Sequence, residues 1–210
     1  MRARQIAWAI AIVVAGHVAL HAGPSPGRAP AAARQSPIPA SSLASFAQDP
    51  QGLPRRTPDV IYVPTSQTVV ETMLKMAHVT SDDVVYDLGC GDGRIVVTAA
   101  RLYGARGVGI DIDPQRVREA HANVEKEGVG NLVKIIEGDL FETPIGEASV
   151  VTLYLLPTLN VKLIPKLNTE LKPGTRIVSH AFDMGEGWPP EQQMDVDGTK
   201  VFFWTMVKRH

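Results

Sequence analysis

The chain has 210 residues, 44% hydrophobic and 20% charged, with a formal net charge of −1 and a single cysteine. That length holds one domain with an appendage. The composition excludes a disordered chain, a collagen-like chain and a polytopic membrane protein, and one cysteine excludes an intrachain disulfide framework. The near-neutral total hides an asymmetry: residues 1–58 carry six Arg and one acid, whereas residues 59–210 carry 15 Lys+Arg against 21 Asp+Glu. An acidic folded region opposes binding to a phosphate backbone, so no nucleic-acid partner is expected.

Arg2 and Arg4 precede an apolar run, Ile6 to Leu20, interrupted only by Gly16 and His17. This pattern predicts that residues 1–22 are a signal peptide or a membrane anchor. Residues 23–58 are rich in Pro, Ala, Ser and Gln and read as a solvated linker; eight of the 16 prolines lie within residues 1–58. Residues 59–210 then form the folded domain.

Within that domain Thr65 or Ser66 can cap a helix whose apolar positions are Val69, Val70, Met73, Leu74 and Ala77. Val84–Leu88 reads as a strand, followed by the turn Gly89-Cys90-Gly91-Asp92-Gly93. Arg94–Tyr103 reads as a helix, 107–112 as a strand, and Pro114 opens a helix that Gly128 stops. Leu132–Ile136 and 149–156 are the third and fourth strands, the latter apolar enough to be buried on both faces. The segment 158–171 is helical, with Pro165 predicted to kink or divide it. The segment 176–182 is the fifth strand. Asp197-Gly198 joins Gln193–Val196 to Val201–Val207 as a hairpin. The alternation predicts an α/β fold: a Rossmann-like, mostly parallel, doubly wound sheet in a single domain, with an antiparallel edge hairpin.

Ligands of such sheets bind beyond the carboxyl ends of the strands, so the residues just after each strand matter most. The first turn has the spacing GxGxG behind Asp87, which departs from the GxGxxG of dinucleotide sites. Glycine there serves either the turn alone or the close approach of a ligand. At the end of the second strand stands Asp111, followed by Asp113. Asp111 can accept the two hydroxyls of a ribose, while Asp113 fits an N-cap. After the third strand stand Asp139 and Leu140, where an acid can accept from the amine of an adenine. Acids after three successive strands describe a nucleoside cleft.

These residues resemble the class I S-adenosyl-L-methionine-dependent methyltransferases, over about residues 60–207. Asp87, Gly89, Gly91 and Gly93 correspond to that family's cofactor loop, Asp111 to its ribose acid, and Asp139 to its adenine-side acid. A narrower set consists of Tyr62-Val63-Pro64-Thr65, Tyr154-Leu155-Leu156-Pro157, Asn160 and the run from Leu171 to His180. It is similar to the lysine methyltransferases of the ATP-synthase c-subunit and their prokaryotic relatives. It departs from many nitrogen methyltransferases, which carry an Asn/Asp-Pro-Pro-Tyr-like motif where Tyr154–Pro157 stands.

The resemblance implies S-adenosyl-L-methionine as cofactor and a protein lysine as acceptor. A small-molecule methyltransferase and a non-catalytic nucleoside-binding module are the alternatives. Tyr62 and Thr65 are expected over the methionine end of the cofactor. Tyr154 is expected at the acceptor nitrogen, with His180 and Asp183 as proton relays or acceptor contacts; each also has a plain structural reading. The histidines show no ligand spacing, so no metal is expected. The chain is expected to act as a monomer, held at a membrane by its N-terminus with the domain on the cytosolic side, where S-adenosyl-L-methionine is made.

Overall fold

The computed structural model describes residues 62–207. The signal or anchor assigned to residues 1–22 and the linker assigned to 23–58 lie outside the described residues. In chain order the elements are α1 (Gln67–Met76), β1 (Val84–Leu88), α2 (Arg94–Tyr103), β2 (Arg106–Asp111), α3 (Pro114–Lys126), β3 (Val133–Glu137) and β4 (Val150–Leu153). There follow α4 (Pro157–Glu170), β5 (Arg176–His180), β6 (Gln192–Val196) and β7 (Thr199–Thr205). Among the described residues no helix is long and apolar enough to cross a membrane.

The seven strands form one sheet in the order β3-β2-β1-β4-β5-β7-β6. β3, β2, β1, β4 and β5 run parallel, while β7 is antiparallel to both β5 and β6. After β3 the chain crosses to the far side of β1, so the winding reverses between β1 and β4. A crevice opens at that switch point.

The pleat sorts side chains onto two cores. Val84, Tyr86 and Leu88 of β1 join the apolar cluster that contains Leu163 and Leu167 of α4, whereas Val85 joins the cluster of α1, α2 and α3. The period of two therefore places Asp87 on the face of Val85. Thr152 likewise shares the face of Val150, and His180 that of Val178. Chemistry-bearing side chains thus reach one side of the sheet beside apolar ones. Leu153, Leu163 and Ile177 are fully buried, and truncating any of them to Ala costs about 2–5 kcal/mol of stability.

Most expected boundaries shift by one or two residues, and three departures from expectation have a clear cause. β4 stops at Leu153 instead of reaching 156, because its neighbours end alongside it: Leu88 and Ser179 are the last residues paired with it. β5 stops at His180 instead of 182. Ala181 has φ 65° and the Phe182 N–H donates to the His180 carbonyl at 2.9 Å. This is a γ-turn of the rare left-handed form, which ends any strand. Finally, α4 runs unbroken through Pro165. The carbonyl that Pro165 leaves without its N–H partner belongs to Val161, on the exposed side of the helix, where solvent can reach it.

Candidate active site

The loop after β1 is tied down by backbone: the Gly89 and Cys90 N–H groups donate to the Ile110 carbonyl at 2.8 and 2.9 Å. Gly91 has φ 55°, and a Cβ there would lie 2.2 Å from Tyr62 Cε2, so only glycine fits beneath that ring. Gly93 serves a different purpose. It starts α2 in the left-handed conformation and abuts Ala120 of α3, away from the cavity.

A cavity of about 310 Å³ lies between this loop, the ends of β2 and β4, and the segment before α1. Asp87, Asp111 and Asp139 all line it. Asp87 faces Thr152 in the β1–β4 register and accepts the Thr152 hydroxyl at 2.8 Å. Burial raises its carboxyl pKa to about 7; Thr152 opposes the rise, and the carboxylates of Asp111 and Asp92 add to it. Asp111 accepts the Gly91 N–H at 2.7 Å and the Asp113 N–H at 2.9 Å. Burial still carries its pKa above the ordinary carboxylate value. Asp139 accepts the Phe141 N–H at 2.8 Å, which turns the chain after β3 and brings Leu140 and Phe141 to the cavity. Carboxylates here suit a ligand carrying a cationic amine, a sulfonium and ribose hydroxyls. The apolar Ile112, Leu140 and Phe141 suit a purine face.

Arg94 straps the segment before α1 to this loop. Its guanidinium donates to both Asp92 carboxylate oxygens at 2.9 and 2.6 Å, to the Thr65 carbonyl at 2.7 Å and to the Tyr62 hydroxyl at 3.3 Å. The Arg116 guanidinium sits 4.6 Å from the centre of the Tyr62 ring. Of the two candidate caps of α1 the structure uses Ser66, whose hydroxyl accepts from Val69. Thr65 is thereby free to turn toward β5: its Oγ1 and His180 Nδ1 are hydrogen-bonded at 3.2 Å. His180 in turn lies against Tyr154, ring centres 3.9 Å apart. Burial lowers the His180 pKa, so its imidazole is uncharged at neutral pH.

Tyr62, Thr65, Asp87, Gly89, Asp111, Asp139, Leu140 and Tyr154 therefore all line one cavity. Gly91 supports it from below, and His180 stands behind Tyr154. Asp183 does not line it: the residue is exposed, and its Oδ1 accepts the Gly185 N–H at 2.9 Å. Trp188 is a packed loop anchor, buried, with its carbonyl accepting from Trp204 Nε1 at 3.0 Å. Cys90 is buried at the cavity, and burial pushes its thiol well above the ordinary value, leaving no thiolate nucleophile. Arg94, Asp92, Arg116 and Thr152 escaped the reading by sequence. Arg94, Arg116 and Thr152 act on partners about 30 to 65 residues away, whereas Asp92 pairs with Arg94 two residues on, within and just after the glycine loop already singled out.

A sheet wound in this order, with acids at the carboxyl ends of β1 and β2 and in the turn after β3 facing one cavity behind a glycine turn, defines an S-adenosyl-L-methionine-dependent methyltransferase of the seven-strand class. The family model described as ANTKMT methyltransferase domain matches residues 87–192. A protein-lysine N-methyltransferase of Saccharolobus islandicus (strain REY15A) is 52% identical over 141 residues, covering 67% of this chain and 87% of that protein. A Xenopus laevis lysine N-methyltransferase of the ATP-synthase c-subunit is 32% identical over 130 residues, covering 62% of this chain and 56% of that protein. Among solved structures, an RNA methyltransferase from Salinibacter ruber in complex with S-adenosyl-L-homocysteine superposes with a TM-score of 0.69 at 54% identity. The match covers 70% of this chain and 96% of that one. The chain belongs to the ANTKMT methyltransferase domain family.

Proposed function

We propose that this protein transfers a methyl group from S-adenosyl-L-methionine to a lysine side chain of an acceptor protein. The observation that carries the reading is the end of the cavity beyond β4. Tyr154 there lies against His180, and Leu155, Leu156, Leu159 and Phe182, none of them charged, make the wall. The names of the Saccharolobus and Xenopus relatives support it, since both are given as lysine N-methyltransferases.

Asp87, Asp111, Asp139, Leu140, Gly89, Gly91, Tyr62 and Thr65 would hold the cofactor. Bound S-adenosyl-L-methionine supplies a methyl group already activated by its sulfonium sulfur. The apolar wall strips water from an arriving ammonium and favours its neutral, nucleophilic form. With Nδ1–H donating to Thr65 Oγ1, uncharged His180 would keep Nε2 as an acceptor and would relay the proton from behind Tyr154. Tyr154 orients the amine toward the cofactor. The protein would act as a monomer, with Ile6–Leu20 holding the domain at the cytosolic face of a membrane, close to embedded acceptors.

The name of the Salinibacter relative makes RNA the rival acceptor. The excess of acids in residues 59–210, 21 against 15 Lys+Arg, opposes it. The test supplies methyl-tritiated S-adenosyl-L-methionine with a membrane-protein fraction, total RNA and the small-molecule filtrate of the same cells. Tritium recovered as N-methylated lysine after acid hydrolysis of the protein is expected. Label in nucleosides or in the filtrate, with none in lysine, would overturn the reading.

A further inference from the structure

We infer that Asn160 is a positioning residue for the acceptor end of the site, acting as a clamp on the turn that follows β5. Asn160 lies in the first turn of α4 and is fully buried. Its Nδ2 donates to the carbonyls of Phe182 and Asp183, each at 3.1 Å, and lies 3.3 Å from Ser179 Oγ. Its Oδ1 is buried and accepts no hydrogen bond among the described residues. Turning the amide over would set that oxygen against two carbonyl oxygens, so the orientation is dictated by its neighbours.

A buried acceptor without a donor is unfavourable, and an apolar side chain of the same size would avoid it. What Asn supplies in exchange is a pair of donors aimed at two successive carbonyls. Those carbonyls belong to a strained segment. Ala181 has φ 65° at the centre of the left-handed γ-turn, with its own N–H donating to the Lys200 carbonyl of β7 at 2.7 Å. Ser179 Oγ donates to the Phe182 carbonyl at 2.6 Å and completes the clamp. Strain of this kind persists only where the surroundings hold it.

The residues on either side of Ala181 are the ones that matter to the site. His180 precedes it, bonded to Thr65 and lying against Tyr154; Phe182 follows it and lines the cavity. A relaxed turn moves both, and the acceptor end of the cavity loses its shape. The carboxylates that face the cofactor lie on β1, β2 and the turn after β3, and none of them touches the clamp. Loss of the clamp therefore separates methyl transfer from cofactor binding, because near-attack geometry is lost while the cofactor cradle is kept.

The proposal rests on the lysine reading only for its transfer arm. The test compares the full chain with Asn160→Leu, which is similar in size and lacks the donors. Ser179→Ala is a milder second variant should the first fail to fold. Hydrogen exchange of the segment 179–185 is expected to quicken by about tenfold or more in Asn160→Leu, and less in Ser179→Ala. Calorimetric affinity for S-adenosyl-L-homocysteine should stay within about twofold, while tritium transfer to the membrane-protein fraction falls by about tenfold or more. Unchanged exchange of 179–185 in both variants would overturn the clamp. So would cofactor affinity falling in step with transfer. If the unmodified protein labels no lysine, the lysine reading falls, and exchange together with cofactor affinity still decides the clamp.

Discussion

Asp83, just before β1, and Asp87, near its carboxyl end, are both buried, in opposite company. Asp83 accepts the Thr80 N–H at 2.8 Å and the Ser149 hydroxyl at 2.7 Å, and it pairs with Arg176. Burial alone would raise its pKa, but the Ser149 and Thr80 bonds and the Arg176 charge together hold it below the ordinary value. Arg176 is itself tied to the Ala77 and His78 carbonyls at 2.7 and 3.1 Å, so this cluster closes the bottom of the sheet onto the end of α1. Among the described residues Asp87, at the top, accepts a side-chain hydrogen bond from Thr152 alone, and burial drives its pKa up to about 7. One carboxylate has its bonding capacity consumed by the fold. The other keeps capacity for a cation from outside, as binding sites do.

The contrast predicts opposite outcomes for substitution. The largest effect is expected at the bottom: Asp83→Ala leaves a half-buried guanidinium without its partner and costs about 3–5 kcal/mol of stability. Denaturant unfolding measures it, and the folded fraction should bind S-adenosyl-L-homocysteine as the unmodified protein does. At the top, Asp111→Ala loses only the Gly91 and Asp113 N–H bonds and should cost about 1–2 kcal/mol of stability, well below Asp83→Ala. It should weaken cofactor binding by about 2–3 kcal/mol, roughly 30- to 150-fold, as read by calorimetry. A large loss of stability in Asp111→Ala would erase the distinction between the two ends.

The pH dependence of stability sharpens the same comparison. Asp87 is held protonated in the fold at pH values where the unfolded chain has released its proton. Stability contributed by the neutral form is present below about pH 4 and declines as pH rises toward 7, where the folded group titrates. Asp83 has the opposite sign: its contribution is present above the ordinary carboxylate value and lost as pH falls through its lowered pKa. Calorimetric melts from pH 3 to 8 should show Asp87→Asn removing the decline toward neutrality and Asp83→Ala removing the acid limb. The smallest effect is expected for Arg94→Lys, which replaces a two-pronged contact with Asp92 by a single one and shortens the reach to Thr65. Cofactor affinity should fall by about 1 kcal/mol, and fluorescence titration can resolve it.

Much of this was legible beforehand, for reasons visible in particular residues. Val84–Leu88, the glycine turn and Arg94–Tyr103 announce themselves through local pattern, because the pleat, the turn and the helix each impose their own spacing on neighbouring residues. Asp111 and Asp139 were legible because one closes a strand and the other stands two residues past the end of one. Asp183 was assigned to the site by nearness in sequence to His180, and the γ-turn at Ala181 separates the two by leading the chain out of the sheet. The choice of Ser66 over Thr65 as cap depended on His180, 115 residues away. No local spacing encodes such a partner.

By itself the sequence determined the order of strands and helices, the glycine turn and the acids at or just past the strand ends, since these depend on neighbours within a few residues. The tertiary structure alone decided that Asp83 is spent on Arg176 while Asp87 is not, that Arg94 fastens Tyr62 and Thr65 over the cavity, and that Asn160 grips the turn behind His180. Each of these is a contact between segments far apart in the chain. The register of the sheet and the crossing after β3 bring them together, and the environment of a side chain exists only once they have met.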